Sequence, residues 1–492
     1  MSAAGVDTGP PVRWSAPPPC VPPGTLAAHV ARGIEAEVLR RGWPVGASLG
    51  SEPQLRERFG VSRAVLREAV RLVEHHQVAR MRRGPSGGLF VTAPDAGPAT
   101  GATVIYLEYV GTTVSDLLHA RSLVEPLAVA LAAGRADEHG LDRARTALDA
   151  ERADAPAPQA CDRLHVLLAQ LSGNPVLELF VDVLTRLTSR YAHEATRTGR
   201  TAGPAEALRR RGSVVAAVAD GDGERAATLM REHLAAEAAW FAEHRPPGAV
   251  RPPLRPGPPE PSAAGRAKLA EVLATRIRTD IAVRGWPLGT VLGSEADLLN
   301  HYRISRAVLR EAVRLLEHHA VARMRRGPGG GLVVTRPDPQ ASIATMALHL
   351  EYRKVTRDDL RVARDAVELG VLDLALAERA RRPLDPDTVA GLRAAAAHVT
   401  DGPIGDATRA DPFHTELAEL AGNPVLALFL RVLTELFRAH TSAQERPPPV
   451  DEVAAEVRAV HERILQAVLD GDAAAARRRM RRHLDALSPW WD

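Results

Sequence analysis

The sequence predicts a mainly α chain in which a three-helix unit with a short β-ribbon, followed by an all-helical bundle, is present twice. Three observations predict it. Of the 492 residues, 45% are apolar but only 4% are aromatic, so the cores must be filled by Ala, Leu and Val, which favours helices over sheets. Segments such as DLRVARDAVELGVLDLALAERA place apolar residues at helical spacing and lack β-branched runs. The chain also repeats itself: the segment 41–92, which begins RGWPVGASLGSE, returns at 284–335 as RGWPLGTVLGSE, a constant offset of 243, with about 35 of 50 positions identical between Trp43 and Thr92.

The repeat continues more weakly. LSGNPVLELF (171–180) matches LAGNPVLALF (420–429) at offset 249, and VADGD (218–222) matches VLDGD (468–472) at offset 250. Between the copies lies RPPGAVRPPLRPGPPEPSAAG, where proline removes backbone donors and favours polyproline II. The expected divisions are a Pro-rich, disordered 1–23, a first three-helix unit at 24–93, a first bundle at 103–245, a Pro-rich linker at 246–264, a second three-helix unit at 265–336 and a second bundle at 343–490. The breaks APDAGPATG (93–101) and RPDPQAS (336–342) separate unit from bundle in each copy. Two cysteines build no disulfide framework, the N-terminus lacks an apolar signal core, and no uninterrupted apolar run of about 20 residues occurs. The expected location is therefore cytoplasmic, with no membrane partner.

Each three-helix unit can be read residue by residue. Leu26, Val30, Ile34 and Val38, with their counterparts Leu269, Leu273, Ile277 and Ile281, set an amphipathic first helix. Ser51 with Gln54 three residues on forms a capping box, Pro53 suits a first turn, and Gly60 ends that second helix. Ser62 then caps RAVLREAVRLVEHH, whose Val65, Leu66, Ala69, Val70 and Val73 face inward while Arg63, Arg67 and Arg71 line the opposite face. VARMRRGPSGGLFVT reads as two strands around a Gly/Pro turn. Three helices and a β-wing make a winged helix-turn-helix, which places its third helix in the DNA major groove and its wing against the backbone. Whole-chain charge is only +3, but Trp43–Thr92 holds eight Arg against four Glu. An arginine every four residues also describes a solvated helix face. Its place at the N-terminus of the last helix, and the unchanged return of SRAVLREAVRL at 305–315, select the DNA reading.

The pattern G-S-E-x-x-L, then V/I-S-R-A-V-L-R-E-A-V-R-L-L/V-E, then R-R-G-P-x-G-G resembles the GntR family of bacterial transcription regulators, specifically the FadR-like subgroup with a helical (FCD) effector domain. The resemblance implies DNA contacts from Ser62, Arg63, Arg67 and the wing at Arg83 and Gly84, and in the second copy from Ser305, Arg306, Arg310, Arg326 and Gly327. Arg71 and Arg314 continue the same stripes. Where the family commonly has Arg two residues after the Ser of S-E-R, this chain has Pro53 and Ala296.

In the second bundle Asp411, His414, His461 and His483 fall on three predicted helices. Such donors suit a divalent cation such as Zn, Ni or Mn held between facing helices. Metal-binding members of the subgroup resemble this copy in F-H followed by G-N-P, in a His before a G-D turn and in a final H-L, although their Asp stands four residues before the first His and here Asp411 stands three before. The first copy keeps Asp162, His165 and His233 but has Arg211 at the His461 position, where a cation repels metal and suits an anionic ligand or an internal carboxylate. Arg121 and Arg364 match a family Arg facing the effector cavity; four residues before Glu125 and Glu368, they also have the spacing of helix ion pairs.

The expected function is a sequence-specific regulator of transcription. It binds double-stranded operator DNA under control of a small carboxylate effector, and its copies pair either within one chain or between two. The alternatives are a metal-dependent enzyme using the second-copy Asp/His set, and a ligand-binding protein without DNA binding.

Overall fold

The computed structural model describes residues 26–82, 84, 87–94, 96–153, 158–197, 204–243, 266–327, 329–337, 339–397, 412–441 and 450–487. The expected tail 1–23, the linker 246–264, Arg83 and Asp411 lie outside them. The chain divides into two compact units, Met1–Asp95 and Ala96–Asp492.

The first unit contains α1 (Leu26–Arg40), β1 (Ser48–Gly50), α2 (Glu52–Phe59), α3 (Arg63–His75), β2 (Ala79–Arg82) and β3 (Gly88–Val91). Leu55, Leu66, Ala69 and Val73 are buried, as are Val30, Ile34 and Val38, as the helical periods require. Ser51 and Gln54 form the capping box of α2, and Gly60 ends it in the left-handed conformation. β2 and β3 pair antiparallel from Ala79 opposite Val91 to Arg82 opposite Gly88. The short β1 adds to β3 and was not expected, because three residues carry too little alternation to read. Glycine permits it: a Cβ on Gly88 would lie 2.7 Å from the Gly50 carbonyl oxygen.

The second unit begins with seven helices, α4 (Ala96–Val110), α5 (Val114–Arg135), α6 (Glu138–Ala153), α7 (Pro158–Leu171), α8 (Pro175–Arg197), α9 (Pro204–Ala219) and α10 (Gly223–Glu243). Then come α11 (Arg266–Val283), α12 (Glu295–Tyr302), α13 (Arg306–His318), β4 (Ala322–Arg325) and β5 (Gly331–Val334), the order of the first unit except that an isolated bridge from Val291 to Val333 stands where β1 does. The chain closes with α14 (Pro339–Tyr352), α15 (Arg357–Arg381), α16 (Pro386–Ala397), α17 (Pro412–Ala421), α18 (Pro424–Thr441), α19 (Val450–Asp470) and α20 (Ala473–Leu487). Helices α4 and α14 correct the expected breaks at 93–101 and 336–342, since they run through Gly/Pro segments read as connectors. Their prolines fall in the first turn, where a missing N–H does no harm. Ala99 and Thr100 are buried, and the Thr100 hydroxyl donates to Asp182 Oδ2 at 2.9 Å, so tertiary burial outweighs weak local propensity.

The two helical halves share one core. Leu177, Phe180 and Leu184 of the first half join Val425, Phe429 and Leu433 of the second, and the Phe180 and Phe429 rings stack with centroids 3.7 Å apart. The G-N-P motif explains the joint. Asn174 Oδ1 caps α8 by accepting from the Val176 amide at 2.9 Å, and its Nδ2 donates across the joint to the Asp359 carbonyl at 3.1 Å. Asn423 does the same in reverse, accepting from Val425 and donating to the Asp116 carbonyl at 3.1 Å. Helix α5 is long and apolar enough to cross a membrane by length and composition, but it contributes Leu117, Ala120, Val124 and Ala128 to this shared core.

The second three-helix unit is anchored on α4. Ile105 enters its core beside Ala270, Leu273 and Ile277, Tyr109 meets Trp286 edge to face at 5.3 Å, and Arg278 lies 3.7 Å from the buried Glu108 carboxylate. Just past α13, desolvation and then the Arg278 charge push His319 down to about 4 from its ordinary 6.5. The unfolded chain therefore takes up a proton below pH 6.5 that the folded chain refuses, so stability is complete above that value and is lost as pH falls towards 4. Between pH 7 and pH 5 this amounts to about 1–2 kcal/mol. The urea midpoint should drop accordingly and His319→Gln should flatten the dependence; an equally steep dependence in the variant would exclude His319 as its source.

Candidate nucleic-acid interface and effector sites

Ser62 has extended backbone at the N-cap of α3 and accepts from the Val65 amide at 3.3 Å, which fixes where the helix starts and which face Arg63, Arg67 and Arg71 occupy. All three arginines are exposed. Arg63 Nε donates to Glu52 Oε1 at 2.6 Å, while Arg67 and Arg71 have no ionic partner among the described residues. On the second unit Ser305 caps α13 by accepting from Val308. Arg306 and Arg310 share the Glu295 carboxylate at 3.1 and 3.8 Å, and Arg314 pairs with Glu311 at 3.0 Å. Exposed ion pairs of this kind are worth about 0–1 kcal/mol, so a phosphate or base edge can displace them. In the hairpin turns Gly84 and Gly327 take the positive φ values of 119° and 98°, Arg326 is exposed, and Arg82 packs over the Phe90 ring at 4.5 Å. Pro53 and Ala296 occupy the first turns of α2 and α12, so neither supplies a cation there.

In the second helical half, His414 from α17, His461 from α19 and His483 from α20 are buried together, one ring nitrogen of each within 4.8 Å of the others. His483 Nε2 lies 3.3 Å from His414 Nε2 and 3.2 Å from His461 Nε2. Glu368 on α15 accepts from His414 Nδ1 and from Arg364 Nε. That tautomer makes His414 Nε2 the unprotonated nitrogen, on the side of His483 Nε2. Burial alone would raise the Glu368 carboxyl, but Arg364 and His414 outweigh it and hold it well below the usual carboxylate range. Burial and then the two neighbouring imidazoles push His483 down to about 2, which keeps it neutral. Arg364 also lies over the Phe437 ring at 5.4 Å.

The first half builds the same frame around a different third member. His165 and His233 approach through Nε2 at 3.3 Å, and Glu125 accepts from His165 Nδ1 at 2.6 Å and from Arg121 Nε. Arg121 also reaches Glu237 Oε2 at 3.0 Å. Burial would raise Glu125; Arg121 and His165 hold it at about 2. Arg211 is buried, and its Nε donates to Glu151 Oε2 at 2.9 Å. Both Arg121 and Arg364 therefore form the i,i+4 ion pairs that their spacing allowed. Glu151 and Glu237 were missed in the sequence, because their contacts with Arg211 and Arg121 span 60 and 116 positions and no local pattern marks them. The side chain of Asp162 is outside the described set.

A winged helix-turn-helix head presenting an arginine-lined third helix, in one chain with helical bundles that bury His/Arg/Glu clusters, defines a ligand-responsive transcription regulator, a DNA-binding protein and not an enzyme. The chain belongs to the GntR family: the profile for bacterial regulatory proteins of the gntR family matches residues 26–91, and the FCD domain profile matches twice, at 116–236 and 359–486. Residues 266–335 fall outside the gntR match. A Mycobacterium gastri protein carrying the name HTH-type transcriptional regulator RmpR is 32% identical over 216 residues, 42% of this chain and 76% of that one. Among solved structures, Streptococcus agalactiae GntR is 22% identical over 44% of this chain and 99% of its own, with TM-score 0.35. A GntR-type regulator from Rhodococcus sp. RHA1 is 23% identical over 44% and 97%, with TM-score 0.22.

Proposed function

We propose that the chain is a tandem duplication of a FadR-like regulator, a cytoplasmic protein with two winged helix-turn-helix heads that reads one operator through both. The observation that carries this is the identity of RAVLREAVRL on α3 and α13, with Arg67 and Arg310 exposed at equivalent places on each. The α11–α13 unit with its β4–β5 hairpin repeats the three helices and the hairpin of the first head, in the same order. Identical recognition helices read identical half-sites, so the operator contains the same element twice. The joint between the helical halves lies within one chain, which supports an intrachain pseudo-dimer as the working unit. Footprinting of purified protein on genomic fragments tests this; two unrelated half-sites would overturn it.

The effector is a small carboxylate, and in the second half a divalent metal, Zn, Ni or Mn, would help to hold it. The donor chemistry supports the metal. Zinc–imidazole bonds of about 2.05 Å at tetrahedral angles set nitrogen separations of about 3.3 Å, and the His414–His483 and His461–His483 separations are 3.3 and 3.2 Å. His414, His461 and His483 would hold the ion, with Asp411 as a further ligand, and the bound ion would supply a Lewis-acid anchor for the carboxylate. Glu368 orients His414, while Arg364, with Arg121 and Arg211 in the first half, brings guanidinium charge to the effector sites. Glu368→Gln should weaken zinc binding by about 10–100-fold. Chelator competition measures this, and unchanged affinity would remove Glu368 from the site.

A further inference from the structure

We infer that the two effector domains are unlike, and that the Arg211–Glu151 pair makes the first one metal-free, so that the chain takes one metal ion and not two. This rests on the metal reading of the second half. The two clusters correspond member by member in sequence: His165 and His414 are 249 apart, His233 and His483 are 250 apart, and Glu125 and Glu368 are 243 apart. Their geometry agrees as well. The imidazole pairs approach at 3.3 Å in both halves, and the Glu on the first long helix accepts from the first imidazole in both. The remaining position differs, because Arg211 stands 250 residues before His461.

The substitution changes the chemistry in kind. A guanidinium has no lone pair to give a metal and stays protonated in proteins. Its charge opposes a dication brought to the adjacent imidazoles at short range and low dielectric. It is also not loose. Arg211 and Glu151 are both more than nine-tenths buried and joined at 2.9 Å, so the guanidinium is fixed inside the first half by a carboxylate and not by an ion. Glu151 Oε1 is buried with no hydrogen-bond partner, so among the described residues this carboxylate hydrogen-bonds to Arg211 only. The first half thus keeps its shape at any metal concentration, and metal-dependent change arises in the second half only.

Metal counting on the full chain tests this. Protein equilibrated with zinc and cleared of excess is measured by mass spectrometry of the metal, with circular dichroism checking that each variant folds. The expected counts are one per chain for the wild type, none for His461→Ala and one more than wild type for Arg211→His, whose third imidazole would complete the His165/His233 pair. Two per wild-type chain would overturn the inference with no variant needed. An unchanged count in folded Arg211→His would overturn it too, as would a single metal lost on His165→Ala but kept in His461→Ala. No metal in the wild type together with one in Arg211→His would sink the second-half metal reading while supporting the role given to Arg211.

Discussion

Phe429→Ala is expected to lower the stability of the chain by about 3–5 kcal/mol, the cost of emptying a fully buried aromatic site. The ring has no exposed surface and lies against Phe180, also fully buried, with centroids 3.7 Å apart. Because these rings belong to different halves of the chain, the loss should fall on the joint between the effector domains. Phe180→Ala should cost a similar amount, and the double variant should cost less than the sum of the singles, since once one ring is gone the other has lost its stacking partner. Urea denaturation of the four proteins measures both effects. A loss below about 1 kcal/mol for Phe429→Ala would mean that the halves do not depend on this core.

The combined variant Arg67→Ala with Arg310→Ala should lose about 2–6 kcal/mol of operator binding, about 1–3 kcal/mol for each arginine that reads a base. Both side chains are exposed on their helices; Arg67 has no ionic partner among the described residues, and Arg310 has only a 3.8 Å approach to Glu295. Truncation should therefore leave folding intact and act on DNA alone. If the arginines read bases, the loss is confined to the operator and relaxes preference at one position in each half-site. If they meet only phosphate, operator and random DNA weaken alike and the salt dependence becomes shallower. Fluorescence anisotropy on operator and scrambled duplexes at several salt concentrations separates these cases. Full affinity in the double variant would remove this face from the interface.

The three-helix units were the most legible part of the molecule because their signals are local. The Ser51/Gln54 box, the Ser62 and Ser305 caps, Gly60 and the period of α3 each act within a few residues, and each appears where the sequence placed it. The misreadings share one cause. Helices α4 and α14 start inside Gly/Pro segments because burial of Ala99 and Thr100 in the one, and of Ser342 and Ile343 in the other, stabilises what local propensity disfavours, and β1 exists because β3 offers it an edge.

Sequence alone determined the helical class, the internal repeat, the arginine stripes and the exchange of His461 for Arg211, since each is written in residue type and spacing. Tertiary structure decided which partners those residues meet: Glu151 for Arg211, the backbone of the opposite half for Asn174 and Asn423, and α4 for the second three-helix unit. These contacts join positions 60 to 307 residues apart. The energy that selects them comes from burial and ion pairing between surfaces that exist only once the helices have packed.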